Sequence, residues 1–274
     1  MRTFSSSEFH SKTLGFILVS LSVFFVLGIA QQKQTLKDAF KGKFLVGAAL
    51  NESQFSGKDE QGATIARTQF NSISPENVLK WESVHPQPDK YNFEASDQYV
   101  AFGEKNNMFI IGHTLVWHNQ TPKWVFEDTS GKELSKEKLL ERMRDHIFTV
   151  VGRYKGRIKG WDVVNEAVID DGSLKQSKWL KIIGEEYLVK AYQFAHEADP
   201  QAELYYDDFS TENVPKRKGV IALVRKLQSQ GIQVAGIGIT GALQNGLAQD
   251  RTSRFSDCRF CKTWRESNGH RIGY

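Results

Sequence analysis

The sequence predicts an α/β fold, a (β/α)8 TIM barrel truncated after about the sixth strand. Three observations carry that prediction. Short apolar runs alternate with amphipathic helical segments at about thirty to forty residues per unit, and strand-helix-strand repetition implies a parallel sheet. Charged and amide residues cluster just after the apolar runs, where a barrel of this kind places its active site. The first run continues as Gly47-Ala-Ala-Leu-Asn51, which is no Gly-rich phosphate loop, so the alternative of an open, doubly wound sheet lacks its usual marker.

The elements follow in order. Phe44 to Leu50, Gln69 to Ile73, Met108 to Trp117, Ile158 to Val164, Glu203 to Tyr206 and Val234 to Ile239 read as strands. Ala95 to Lys105, Ser135 to Tyr154, Glu185 to Glu197 and Lys216 to Gln230 place apolar residues three and four apart, the spacing of helices with one buried face. Six strands by residue 239 leave thirty-five residues, whereas such barrels take about 250 residues for eight units. The segment from Thr240 to Tyr274 is also rich in Arg, Ser and Gly and has no clear periodicity.

Hydrophobic residues make up 40% and aromatic residues 12% of the 274, enough for one large core and contrary to a disordered chain. The net charge of +4 is not a binding surface, because the two ends carry it. The first thirty residues hold +1 and the last thirty-five +3, which leaves residues 31–239 neutral. No nucleic-acid or membrane role is expected of that body.

Arg2 and Lys12, followed by a charge-free run from Leu14 to Ile29 and small residues at Gly28 and Ala30, have the pattern of a secretory signal peptide over residues 1–30. The run is short for a membrane anchor, which needs about 20 apolar residues. A secreted or periplasmic monomer, free of the membrane after cleavage, is therefore the expectation. Cys258 and Cys261 have C-x-x-C spacing. A zinc site needs about four ligands, and only His270 lies nearby.

The chemistry is concentrated in Trp161-Asp-Val-Val-Asn-Glu-Ala167, an apolar strand that presents Asn165 and Glu166 at its C-terminal tip. A carboxyl there can protonate the leaving oxygen of a glycoside, provided a second carboxylate about 5 Å away attacks the anomeric carbon. As an isolated pair, Asn165-Glu166 would more often be a surface pair in a polar loop. Two further strand tips change that: His113-Thr-Leu-Val-Trp-His118 with Asn119 and Gln120, and Pro75-Glu-Asn-Val-Leu-Lys80-Trp81-Glu82. Together they offer flat aromatic faces for sugar rings, and donors and acceptors for hydroxyls. His113 and His118 have no acidic neighbour at metal-ligand spacing, so no metal is expected.

With these motifs, the stretch from about Leu36 to Ile239 resembles the family-ten glycoside hydrolases, the endo-1,4-β-xylanases. The resemblance implies Glu166 as general acid/base, and Glu76, Asn77, Lys80, His113, Trp117, Gln120 and Asn165 as sugar-binding residues. It further implies retention of configuration, no cofactor, and xylan or xylo-oligosaccharides as the partner. A β-glucanase on the same barrel, or a binder of xylan without catalysis, are the alternatives.

Two departures from the family stand out. Tyr205-Tyr-Asp-Asp-Phe-Ser210 has Asp207 where the family usually shows Asn, and Phe209 where Tyr is common. After Ile239 the family continues with Gln-Gly-His and an aromatic, then reaches a strand-seven Thr-Glu-Leu-Asp whose Glu is the nucleophile. This chain instead reads Thr240-Gly-Ala-Leu243. Back-translated with permitted codons and read one nucleotide late, Thr240 to Gln244 yields Gln-Gly-His-Tyr. Lys262 to Tyr274, shifted likewise with permitted codons, yields Thr-Glu-Leu-Asp. The sequence thus implies a change of reading frame after Ile239, with the nucleophile absent, the barrel unclosed, sheet edges open to aggregation and hydrolysis impaired.

Overall fold

The computed structural model describes residues 34–240. The expected signal peptide and all of the expected tail beyond Thr240 lie outside them. Residues 47–240 form six strands: β1 (Gly47–Leu50), β2 (Ser72–Pro75), β3 (Phe109–Val116), β4 (Gly160–Asn165), β5 (Glu203–Phe209) and β6 (Gly236–Thr240). They pair side by side in sequence order, every pair parallel. Each of β1 to β5 is followed by a helix that crosses back: α1 (Glu60–Gln69), α2 (Glu94–Lys105), α3 (Lys136–Arg153), α4 (Glu186–Ala198) and α5 (Val214–Ser229). This is the order of the first six strands of a (β/α)8 barrel, as the sequence predicted.

Parallel strands covered by helices should be apolar almost throughout, and β4 meets that rule: Trp161, Val163 and Val164 are each no more than 1% exposed. The helices show the complementary one-sided pattern. In α3, Leu139, Met143, Ile147, Val150 and Val151 are buried, and the Ser135 side chain accepts from Lys138 N–H to cap the first turn. The Tyr99 hydroxyl of α2 lies 2.9 Å from Ile73 O and 2.8 Å from Ile111 O, which ties the helix to β2 and β3. It donates to one of these carbonyls at a time.

Gly112 shows how tightly β3 and β4 meet. A Cβ there would lie 2.2 Å from the Trp161 ring, and neither a fully buried indole nor a central strand can retreat. Gly112→Ala is expected to destabilise the fold by about 1–3 kcal/mol through overpacking, read as a lower urea midpoint at unchanged slope.

A second internal cluster fixes its own proton positions. His85 Nδ1 lies 3.1 Å from His146 Nδ1, and His85 Nε2 lies 3.0 Å from Pro88 O. A carbonyl only accepts, so His85 carries its proton on Nε2 and accepts at Nδ1, and His146 donates from Nδ1. His146 Nε2 is then a bare lone pair, buried without a partner among the described residues, while Trp81 stacks on the same ring at 3.6 Å.

Burial holds His146 well below the usual histidine range, with the charge of His85 adding to it, and burial also lowers His85. Both are neutral in the fold, whereas an unfolded chain protonates them below about pH 6.5. Their contribution is complete above that pH and is lost as pH falls toward the depressed folded values. The expected slope is up to about 1.4 kcal/mol per pH unit for each proton taken up. Urea melts at pH 7.5 and pH 5 should show His146→Leu losing less stability on acidification than the wild type.

Candidate active site

The C-terminal ends of β2, β3 and β4 place the expected residues along one rim. Glu76, Asn77 and Lys80 follow β2, Trp117 and Gln120 follow β3, and Asn165 closes β4 with Glu166 directly after it. The rim is built from unusual backbone: Glu166 has φ +54°, Gln120 +45° and Ser210, just beyond β5, +52°. A non-glycine residue in this left-handed region is disfavoured and is found where the surroundings over-determine it.

Side chains link most of these residues into one chain of contacts. Asn77 Oδ1 accepts from Lys80 Nζ at 3.1 Å and from Gln120 Nε2 at 3.1 Å. Lys80 Nζ sits 4.8 Å from the centroid of the Trp117 ring, a cation-π distance. Trp117 Nε1 donates to Glu166 Oε2 at 3.0 Å. The Trp117 backbone is fixed in turn, its carbonyl accepting from Trp179 Nε1 at 2.9 Å and from Thr121 Oγ1 at 2.8 Å. Burial lowers the Lys80 ammonium from its ordinary range, and the charges of Glu166 and Glu76 oppose that shift. Glu76 thus acts on this group through its charge. Asn165 is 4% exposed, and its Oδ1 is buried without a partner among the described residues, an acceptor held ready for a donor such as a sugar hydroxyl.

His113 joins the rim through a different pair. It faces Asp162 across the β3–β4 register, and its Nδ1 lies 2.9 Å from Asp162 Oδ2. Burial pushes the imidazole down, but the bond to Asp162 and the charges of Asp162 and Asp207 outweigh it, so its affinity for a proton is raised. One ligand atom each from His113, Asp162 and Asp207 lies within 4.8 Å of the others. The acidic partners missing from the local sequence around His113 are therefore supplied by β4 and β5. Since His113 already engages Asp162, the arrangement has the chemistry of an ion pair that fixes an imidazole.

Sequence reasoning placed the carboxyl and its aromatic partner, but missed His118 as a member of the site. Its Nε2 lies 3.9 Å from Glu166 Oε2, and burial, helped by the charge of Lys175, lowers it to about 4. His118 is thus neutral beside the carboxyl near neutral pH. It adjoins Trp117 in the same motif, and that adjacency was the available signal. Asp162 was hidden inside an apolar strand.

The sequence profile described as "Glycosyl hydrolase family 10" matches residues 35–256. The chain belongs to this family. The match begins where the motifs suggested and runs past Ile239. Endo-1,4-beta-xylanase A of Xylanibacter ruminicola is 46% identical over 214 residues, covering 78% of this chain and 58% of that protein. Among solved structures, a GH10 endoxylanase from a sugarcane soil metagenome superposes with a TM-score of 0.72 at 45% identity, over 74% of this chain and 59% of that one. TsXylA, an intracellular xylanase from Thermoanaerobacterium saccharolyticum whose mutant was solved with xylotriose, superposes with a TM-score of 0.73 at 38% identity, over 76% and 67%. Family 10 membership and the (β/α)8 architecture follow from these matches. The chain spans about three-fifths of the length of relatives such as the Xylanibacter enzyme.

Proposed function

We propose that this chain carries the sugar-gripping and acid/base half of a retaining endo-1,4-β-xylanase that cuts internal bonds of xylan. The observation that carries the reading is the Trp117 Nε1 to Glu166 Oε2 bond. An indole N–H only donates, so Oε2 is engaged as an acceptor and Oε1 is the oxygen left to carry the acid proton. In the first step Glu166 gives that proton to the leaving glycosidic oxygen. In the second it takes a proton from the water that releases the sugar.

Lys80, Asn77 and Gln120 bind hydroxyls of the sugar units, the Trp117 face packs against a ring, Asn165 meets the hydroxyl beside the anomeric carbon, and His113, fixed by Asp162, donates from its other nitrogen. Glu76 sets the charge around Lys80. The names of the relatives support xylan over β-glucan as the substrate, and the xylotriose complex of TsXylA supports xylo-oligosaccharides as ligands.

The attacking carboxylate of the family belongs to a strand beyond β6. In this reading residues 240–274 are out of frame, the nucleophile is missing from the chain as written, and turnover is impaired while oligosaccharide binding remains. Secretion through residues 1–30 belongs to the same reading and rests on the sequence pattern alone. Sequencing the DNA across the codons for Gly236 to Tyr274 tests the frame. A shifted frame encoding Gln-Gly-His-Tyr and Thr-Glu-Leu-Asp is expected, and an open shifted frame without these words would overturn it. Comparing xylotriose with cellotriose by calorimetry tests the specificity, which fails if the glucan binds equally well.

A further inference from the structure

Lys216 of α5 is a buried lysine in a barrel whose other described lysines reach the surface or the cleft rim. Its side chain is 1% exposed, and Nζ lies 2.8 Å from Asp208 Oδ1, on a carboxylate that is 0% exposed. Asp208 Oδ2 accepts from the Tyr206 hydroxyl at 2.5 Å. That hydroxyl oxygen in turn accepts from Ala167 N–H at 3.0 Å. The polarity of the path is fixed throughout, because Ala167 N–H can only donate, the single Tyr206 proton goes to Asp208, and Asp208 must be ionised to accept from both neighbours. Burial, reinforced by the charge of Asp208, pushes the Tyr206 hydroxyl well above its ordinary range, so it keeps its proton.

Ala167 is the residue after Glu166. Glu166 N–H donates to Asp207 O at 2.9 Å, so the amides on both sides of the Glu166 Cα are anchored to β5. Between them Glu166 is held at φ +54°. The loop that follows is clamped to α5 as well. Asn213 Nδ2 donates to Asp170 O at 3.2 Å, and Gly172 packs so closely on α5 that a Cβ there would collide with Pro215 O, and one at Gly219 with Gly172 O. A buried ion pair is poor evidence of stability, since apolar residues of similar volume often serve equally well. Its place here, two hydrogen bonds from the amide that follows Glu166, suggests another use.

We propose that Lys216, Asp208 and Tyr206 are positioning residues for Glu166, holding the left-handed turn that aims its carboxyl at Trp117 Nε1. The proposal rests on the reading of Glu166 as the acid/base, yet its test needs no turnover, so a chain that fails to hydrolyse xylan leaves the test intact.

The test is solvent exchange of indole N–H protons by NMR in the wild type and in Tyr206→Phe, which removes one oxygen and keeps the ring. Trp124, whose Nε1 donates to Pro86 O at 3.0 Å, reports general loosening. In Tyr206→Phe the Trp117 indole is expected to exchange at least about tenfold faster relative to Trp124. If Tyr206→Phe does not fold, the paired change of Lys216→Met with Asp208→Asn removes both buried charges together. It is expected to show the same Trp117-selective effect. Exchange at Trp117 that keeps pace with Trp124 would mean the network only stabilises the barrel and would overturn the proposal.

Discussion

Glu166→Gln, introduced into a chain whose frame beyond Ile239 is restored, is expected to lower kcat on xylan by about two to four orders of magnitude, the usual contribution of a positioned general acid/base. Glutamine keeps the shape and can still accept from Trp117 Nε1, so binding of xylotriose should change little. The loss should depend on the leaving group. A natural xylosyl leaving group needs the proton and should show the full effect. An activated aryl xylobioside leaves as a stable phenolate and should lose much less in the first step. Comparing kcat/KM, which reports the first step, on the two substrates checks this, and an equal loss on both would assign Glu166 to another role.

Asp208→Ala is expected to give the largest loss of stability of any single change at this end of the barrel, about 3–5 kcal/mol. It leaves the Lys216 ammonium buried without its carboxylate, removes the acceptor of the Tyr206 hydroxyl, and frees Phe209 N–H, which donates to Asp208 Oδ1 at 2.9 Å. Adding Lys216→Met should recover a large part of that loss, because the penalty arises mainly from the unpaired charge and not from the absence of the pair. A double-mutant cycle in urea measures the coupling. Losses that simply add would show that the two groups do not share one environment.

The legible parts of the fold were those in which a single physical demand decided the residues. β3 and β4 are near-continuous apolar runs because helices cover them, and α3 shows its buried stripe over eighteen residues. Helix α1 was missed because its pattern is poor: Gly62, Thr64 and Thr68 interrupt it, and Ile65 is 50% exposed. Gln69 was read as the start of a strand, but it ends that helix, and β2 begins at Ser72 and runs to Pro75, which pairs with Leu50. β5 extends past its expected end at Tyr206 because the backbone of Asp207 and Asp208 continues to pair with β6, which no side-chain pattern announces.

The candidate site divides in the same way. Asn165-Glu166 at a strand tip carries its chemistry in adjacent letters, and so do Trp117 and Lys80 within their motifs. The partners that tune these groups come from other strands. Asp162 fixes His113, His118 stands by Glu166, and Lys216 reaches the amide after Glu166 through two side chains, so each becomes visible only once the sheet register is known.

The most direct test of the account is reducing-end release from xylan by the purified chain, confirmed by mass to end at Tyr274, beside a version with the frame beyond Ile239 restored. The account predicts that both bind xylotriose, and that only the restored chain releases reducing ends, at a rate that collapses with Glu166→Gln. Robust hydrolysis by the chain as written, or a restored chain indifferent to Glu166→Gln, would contradict it.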